Sequence, residues 1–303
     1  MKAFIIGGAG FIGSHLTDAL VQQGHGVTVY DDLSVGRREW LPPQAAFIKG
    51  DALERMHMAE VMAGHDVVFH LSANPEARRG LEQPMLDAAQ GTIATHNALD
   101  AARMAGVQRF VFASSGTVYG NVDEPCGEND LGSLPISLYG AAKLAGEALV
   151  SAYAECFGIK PTVLRFGNVV GPRGTHGCIL DFLRKLRATP DRLNVLGDGR
   201  QAKPYLHVSD CVAGILHAAE FAGTFNLAPS DTTSVWRIAE LCVAAAGGGA
   251  RIEYAGGPQG WRGDVPRSRL NPDKLAAAGF RVRFTSDEAV QMAVREVARE
   301  VFG

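Results

Sequence analysis

No two cysteines in this chain are spaced as a Cys-x-x-Cys pair. The five present (Cys126, Cys156, Cys178, Cys211, Cys242) are scattered and form no compact Cys/His cluster. That usage argues against a disulfide framework and against a metal site, and it fits a reducing cytoplasm. Basic charge is not in excess either. Lys and Arg total 29 against 32 Asp and Glu, a net charge of -3, which offers no field for nucleic acid or for an anionic membrane surface. The expected partner is a small molecule. No apolar run reaches the ~18 residues of a membrane span. Met1-Lys2 leads straight into Ala3-Phe4-Ile5-Ile6, which leaves no room for a cleavable signal. Internal repeats and low-complexity linkers are absent as well.

What remains is a 303-residue chain of 47% hydrophobic composition, long enough for one large or two modest cores. Its first half alternates short apolar runs with longer amphipathic stretches, the rhythm of βαβ units around a parallel sheet. Residues Ala3-Ile6, Val27-Tyr30, Ala46-Lys49, Val67-Leu71, Phe110-Ala113 and Pro161-Arg165 read as buried strands. Helical patterns cover Phe11-Gln23, Leu53-Met62, Pro84-Ala105 and Ser137-Phe157. Past Asn168 the rhythm breaks into Gly-rich turns and shorter elements, with a helix near Ile179-Arg187 and a capped terminal helix from Ser286 to Val301. The expected fold is α/β: a Rossmann-type doubly wound parallel sheet over residues 1–167, and a smaller C-terminal α/β substrate lobe over 168–303, partly interleaved with the first. Ligands of such sheets sit at the carboxyl ends of the strands.

The turn Gly7-Gly8-Ala9-Gly10-Phe11-Ile12-Gly13 follows a strand and opens a helix. Backbone N–H groups and a helix N-terminus can therefore meet a pyrophosphate, and a bulky residue at Gly10 would block that approach. Asp31 stands at the end of the next strand, where a carboxylate accepts both hydroxyls of an adenosine ribose. A carboxylate there repels a 2′-phosphate and so favours NAD over NADP, although Arg37 and Arg38 lie close by. Asp51 has two readings, a contact to the adenine amino group or a cap for the helical stretch from Leu53.

Tyr139 and Lys143 are four apart in a helical stretch, so both project from one face. An ammonium beside a phenol of reference pKa ~10 favours the phenolate and makes it a better base. The pair gains meaning from Phe112-Ala113-Ser114-Ser115-Gly116-Thr117, where a strand ends in hydroxyls at the sheet edge. Ser115 can there hydrogen-bond the same substrate oxygen that Tyr139 deprotonates. For Thr117, strand-end turn chemistry is the competing reading.

These residues resemble the extended short-chain dehydrogenase/reductases, in particular the nucleotide-sugar epimerase group typified by UDP-glucose 4-epimerase. The likeness spans nearly the whole chain through Gly7-Gly-Ala-Gly-Phe-Ile-Gly13, Asp31-Asp-Leu-Ser-Val-Gly36, His70-Leu-Ser-Ala73, Ser114-Ser-Gly-Thr-Val-Tyr-Gly120, Tyr139-Gly-Ala-Ala-Lys143, Arg165-Phe-Gly-Asn-Val-Val-Gly-Pro-Arg173 and His207-Val-Ser-Asp210. It implies Ser115, Tyr139 and Lys143 as catalytic residues. It also implies a resident NAD held by Gly7, Gly10, Phe11, Ile12, Gly13, Asp31, Asp32, Ser34, Gly36, Asp51, Ala52, Leu71, Ser72, Ala73, Tyr139 and Lys143. In that family the tyrosine takes the 4-hydroxyl proton of the sugar while hydride leaves C4 for NAD. The 4-keto sugar turns over, and hydride returns to its opposite face.

Substrate contacts implied by the resemblance are Ser115, Thr117, Tyr139, Asn168, Lys203 and Arg262, with Asn168 and Arg262 at the diphosphate. Lys203 stands where many relatives carry arginine, exchanging a bidentate fork for a point charge. Gly116 follows Ser115 where related dehydratases and decarboxylases resemble one another in carrying acids, so simple epimerisation of a UDP-hexose is the expected reaction. The alternatives are UDP-N-acetylhexosamine epimerisation, UDP-glucuronate epimerisation with Arg78 or Arg173 as the cation its carboxylate would want, and a silent NAD-binding sensor. Ala88 and Gly167 depart from the family around the nicotinamide. A gapless pairing through Gly263-Asp264 places the small Ser268 where bulk at the sugar C2 is limited, leaving room for an N-acetyl group. His70 reads as a packed core histidine. The Ala-rich helices near Gly91-Ala105 and Ser137-Phe157 match the pair through which related proteins form homodimers.

Overall fold

The computed structural model describes residues 1–130 and 133–303. The apolar runs of the first half become strands β1 (Lys2–Ile6), β2 (Gly26–Asp31), β3 (Ala46–Lys49), β4 (Val67–His70), β5 (Arg109–Ser115) and β6 (Lys160–Phe166). Continuous apolarity is what a strand covered on both faces requires: Ala3, Phe4, Ile5, Val67, Val68 and Phe69 have no exposed surface. A seventh strand, Gly223–Leu227, lies beside β6, so the sheet runs in the order Gly223–Leu227, β6, β5, β4, β1, β2, β3. Sequence periodicity missed it because Thr224 and Asn226 interrupt its apolar run. Pairing is parallel from β5 through β4, β1 and β2 to β3. Strand order reverses between β1 and β4, the switch point of a doubly wound sheet.

The helices of this half are α1 (Phe11–Gln22), α2 (Arg55–Met62), α3 (Arg79–Glu82), α4 (Pro84–Asp87), α5 (Ala94–Met104) and α6 (Leu138–Phe157). The helix expected over Pro84-Ala105 runs without a gap to Met104, and its middle widens into a π-helical segment, Ala88–Ile93. Its centre, Gly91, packs so tightly on α6 that a Cβ there would sit 2.6 Å from the Cβ of Ala142. The wider turn lets the backbone meet α6, and π-turns of this kind recur at functional sites.

Two compact units make up the chain. One comprises Met1–Val118, Leu138–Arg165 and Ile215–Phe225; the other comprises Tyr119–Ser137, Phe166–Gly214 and Asn226–Gly303. The second unit has its own core, in which Leu183 and Leu186 of helix Cys178–Ala188, Ile238 of helix Val235–Ala245 and Val290 and Val294 of helix Ser286–Phe302 come together. Around it lie three short strand pairs, Asn168–Val170 with Tyr205–His207, Ala202–Lys203 with Thr233–Ser234, and Arg192–Val195 with Arg251–Tyr254. The terminal helix is capped by Thr285, which forms a reciprocal capping box with Glu288. Ser286, the residue read as its start, is buried and accepts the Tyr205 N–H at 3.0 Å instead.

Candidate active site

At the end of β1 the chain turns through Gly7, which has a left-handed φ of +78° and donates its N–H to Tyr30 O at 2.9 Å. Two of the three motif glycines are demanded by packing. A Cβ on Gly7 would lie 2.7 Å from the Ser72 nitrogen, and one on Gly13 would overlap the Gly7 carbonyl oxygen. Gly10 differs: only Gly7 O, at 3.3 Å, stands near its missing Cβ, so this side of the turn is open. Helix α1 begins there with no side-chain cap and no acidic residue in its first turn. Unpaired N–H groups and the positive end of the helix dipole therefore face open space, a fit for a pyrophosphate.

Asp31 is buried. Its Oδ2 accepts the Ala9 N–H at 3.0 Å and its Oδ1 the Leu33 N–H at 2.8 Å, which leaves a lone pair on each oxygen for ribose hydroxyls. Burial pushes its carboxyl above the usual range, while these two backbone bonds act the other way. Gly36 closes the loop, since a Cβ there would come within 2.9 Å of Asp31 Oδ1. Asp32 accepts from Ser34 N (2.8 Å) and Oγ (2.7 Å), so these two residues brace the loop itself. Arg37 pairs with Glu39 and lies over Trp40, and Arg38 lies over Phe47; both guanidinium groups have neighbours of their own. Asp51 Oδ1 accepts the Leu53 N–H at 2.9 Å in a local Asx-type turn, and α2 starts two residues later at Arg55. Ala52 lends its carbonyl to Asn97 at 3.4 Å. Phe11 and Ile12 are half-buried in the first turn of α1.

The end of β4 sits beside this turn. His70 is fully buried, holds Thr95 Oγ1 at 3.0 Å and stacks on Phe112. Burial, with the charge of Lys143, pushes its imidazole down to about 3, so it is a neutral core residue at physiological pH. Leu71 donates its N–H to Ile6 O at 2.9 Å, and Ser72 Oγ lies 3.4 Å from His70 Nδ1. Ala73, next along, is half-buried.

Tyr139, Lys143 and Ser115 come together where β5 meets α6. Lys143 is 4% exposed and donates from Nζ to Ala113 O at 2.7 Å, with its ammonium 5.7 Å from the Tyr139 ring centroid. Burial brings it down to about 8, against the pull of Glu147 and Asp87. Tyr139 hydrogen-bonds Ser115, yet burial and the Asp87 carboxylate hold its phenol up at about 12. Ser115 Oγ accepts from Thr117 N at 3.2 Å and Thr117 Oγ1 at 3.0 Å. The Thr117 hydroxyl thus orients Ser115, a role between the two read from the sequence.

Two acids here escaped sequence reasoning. Asp87 is buried; Asn74 Nδ2 donates to its Oδ1 at 2.9 Å, whereas its Oδ2 has no hydrogen-bond partner among the described residues. Burial pushes its carboxyl up. Glu147 is held by Ser114 Oγ and by the Arg165 guanidinium. It lies four residues beyond Lys143, a spacing that could have flagged it. Nothing local marks Asp87.

In the second unit Lys203 is not a free cation, because its Nζ lies 2.6 Å from Asp264 Oδ1. Asn168 is exposed and donates its N–H to Pro204 O at 2.8 Å. Arg262 is exposed two residues before Asp264, and Ser268 donates its N–H to Ala202 O at 3.3 Å. The stretch 202–204 therefore gathers all four: Lys203 itself, Asn168 and Ser268 through backbone bonds, and the Arg262 loop through Asp264. At Gly167 there is no room for a side chain, since a Cβ would stand 2.7 Å from Pro204 O. Among the described residues no group of three or more His, Cys, Asp or Glu could hold a metal ion.

Residues 3–228 match the NAD dependent epimerase/dehydratase family. UDP-glucose 4-epimerase of Mycolicibacterium smegmatis is 34% identical over 286 residues, covering 89% of this chain and 90% of that protein. The UDP-glucose 4-epimerase of Thermotoga maritima, solved with UDP-glucose, superposes with a TM-score of 0.91 at 31% identity over the full length of both chains. That of Thermus thermophilus, solved with NAD, gives a TM-score of 0.90 at 30% identity over 98% of this chain and 99% of the other. The chain belongs to the NAD dependent epimerase/dehydratase family.

Proposed function

From membership of that family, we propose that this protein is a nucleotide-sugar 4-epimerase acting on UDP-glucose and UDP-galactose with a tightly held NAD. The carrying observation is the convergence of Ser115, Tyr139 and Lys143 at the end of β5, joined by a Ser115–Tyr139 hydrogen bond and a 2.7 Å anchor from Lys143 to Ala113 O. Gly7, Gly10 and Gly13 with the α1 N-terminus would hold the pyrophosphate, and Asp31 the adenosine ribose. When bound, NAD supplies the hydride acceptor and a positively charged ring. Tyr139 takes the proton of the sugar 4-hydroxyl on Oη as that carbon becomes a ketone, and returns it when the alcohol re-forms. Its phenol is too weak an acid at about 12 to serve as a base unaided. The Lys143 ammonium and the Ser115 hydroxyl both favour the phenolate, and a proton on Asp87 would remove the charge that opposes it. Thr117 keeps the Ser115 hydroxyl aimed.

The first unit is the NAD-binding part and the second the substrate-binding part in this reading. Asn168 and Arg262 would hold the diphosphate, while Lys203 acts through its Asp264 pair. Scattered free cysteines support a cytoplasmic protein. Ile93, Met104 and Phe157 leave 47%, 43% and 52% of their surface exposed on the π segment, α5 and α6, which supports a homodimer built on these helices.

Incubating the purified protein, without added cofactor, with UDP-galactose, UDP-N-acetylgalactosamine and UDP-galacturonate in parallel tests the reading. Conversion of UDP-galactose is expected. No conversion of any of the three, even with NAD supplied, sinks it.

A further inference from the structure

Three successive turns of α6 are fastened to three successive residues of β5. Lys143 Nζ donates to Ala113 O at 2.7 Å, Ser114 Oγ donates to Glu147 Oε1, and Ser115 hydrogen-bonds Tyr139. The middle fastening also reaches β6. Arg165 grips Glu147 through Nε to Oε1 at 2.9 Å and Nη2 to Oε2 at 2.6 Å, with the two side chains 3% and 9% exposed. A bidentate guanidinium–carboxylate pair fixes direction as well as distance, and the bond from Ser114 adds a third anchor to the same carboxylate.

Resting on the epimerase reading, we infer that Glu147 is a positioning residue of the reaction, clamping α6 to β5 and β6 and supplying the negative charge that keeps Lys143 protonated. Tyr139, Lys143 and Glu147 share one face of the helix, and Tyr139 lies about 12 Å along the axis from Glu147. Rotation of α6 at the clamp would therefore carry the phenol away from Ser115. The charges around Lys143 can be named element by element. Glu147 lies on its own helix and Asp87 on α4; both favour the ammonium. His70 on β4 is neutral and Tyr139 on α6 keeps its proton. Arg165 on β6 is the cation that Glu147 grips. Removing the Glu147 charge withdraws a favourable partner of the Lys143 ammonium and so lowers its proton affinity.

The test is Glu147→Gln in the NAD-loaded protein, read in two ways. With 13C-lysine labelling, the Lys143 side-chain signal, identified by its loss in Lys143→Met among the seven lysines, should titrate at least about one pH unit lower in the variant. This readout does not depend on which sugar is turned over, so it stands if the substrate reading fails. On UDP-galactose, kcat should fall at least tenfold with KM within about twofold, the alkaline limb of the pH profile should move down, and Glu147→Asp should recover part of the loss. An unchanged Lys143 titration together with a wild-type pH profile overturns the inference. If Glu147→Gln strands Arg165 and does not fold, the doubly neutral Glu147→Gln/Arg165→Gln protein decides. A native circular dichroism spectrum with kcat reduced at least tenfold supports the clamp, and a wild-type kcat in that folded protein refutes it.

Discussion

Replacing Lys143 with methionine should make the cofactor-free protein more stable at neutral pH while abolishing its turnover. A buried lysine brought from its ordinary 10.5 down to about 8 carries a charged-state penalty of roughly 3 kcal/mol when it is protonated in the fold. That value already contains the attraction of Glu147 and Asp87. Methionine has nearly the same reach and no charge, so it escapes the penalty. It forfeits the charge-assisted bond to Ala113 O, a loss of about 2 kcal/mol, which leaves a net gain of roughly 1 kcal/mol. The sign depends on pH. The folded pKa lies below the unfolded one, so the wild-type penalty is complete below about 8, shrinks as pH rises and is gone near 10.5. There only the lost hydrogen bond remains, and the variant becomes the less stable protein. Urea unfolding of both proteins stripped of NAD, followed by fluorescence of the three tryptophans at pH 7 and near pH 10.3, measures both limits. A variant less stable than wild type at pH 7, or a difference that does not change with pH, refutes the reasoning.

Tyr139→Phe should lower turnover by orders of magnitude while NAD stays bound, as measured by cofactor released on denaturation; turnover near the wild-type rate rules out the phenol as the base. In Gly13→Ala the new methyl would overlap Gly7 O and stand 2.7 Å from Gly8 Cα, so the turn must open and the purified protein should carry little NAD; normal cofactor content would show that the turn can yield without losing the site. Ser268→Tyr should abolish conversion of UDP-N-acetylgalactosamine and spare UDP-galactose, and loss of neither places the C2 pocket elsewhere.

How much could be read beforehand follows from the range of each interaction. The glycine turn was legible because strand, turn and helix are contiguous, and because Gly7 with its left-handed φ and Gly13 against the Gly7 carbonyl answer demands within the turn itself. His70 was legible as core because it closes an apolar strand, and Tyr139 and Lys143 were aligned by helical spacing alone. Lys203 illustrates the opposite case. Its partner Asp264 lies 61 residues away, so no window on the sequence shows that its charge is spoken for. The π-helical turn at Ala88–Ile93 was hidden for the same reason, since it lies where Gly91 meets Ala142 on another helix.

By itself the sequence determined a glycine turn between the first strand and helix, an acid at the second strand and a Tyr/Lys face. Backbone geometry and helical or strand period fix these within a few residues. Only the tertiary structure decided the protonation chemistry. Proton affinities at Tyr139 and Lys143 are set by burial and by Asp87 and Glu147, and the field of a charge depends on distance through the fold, not along the chain.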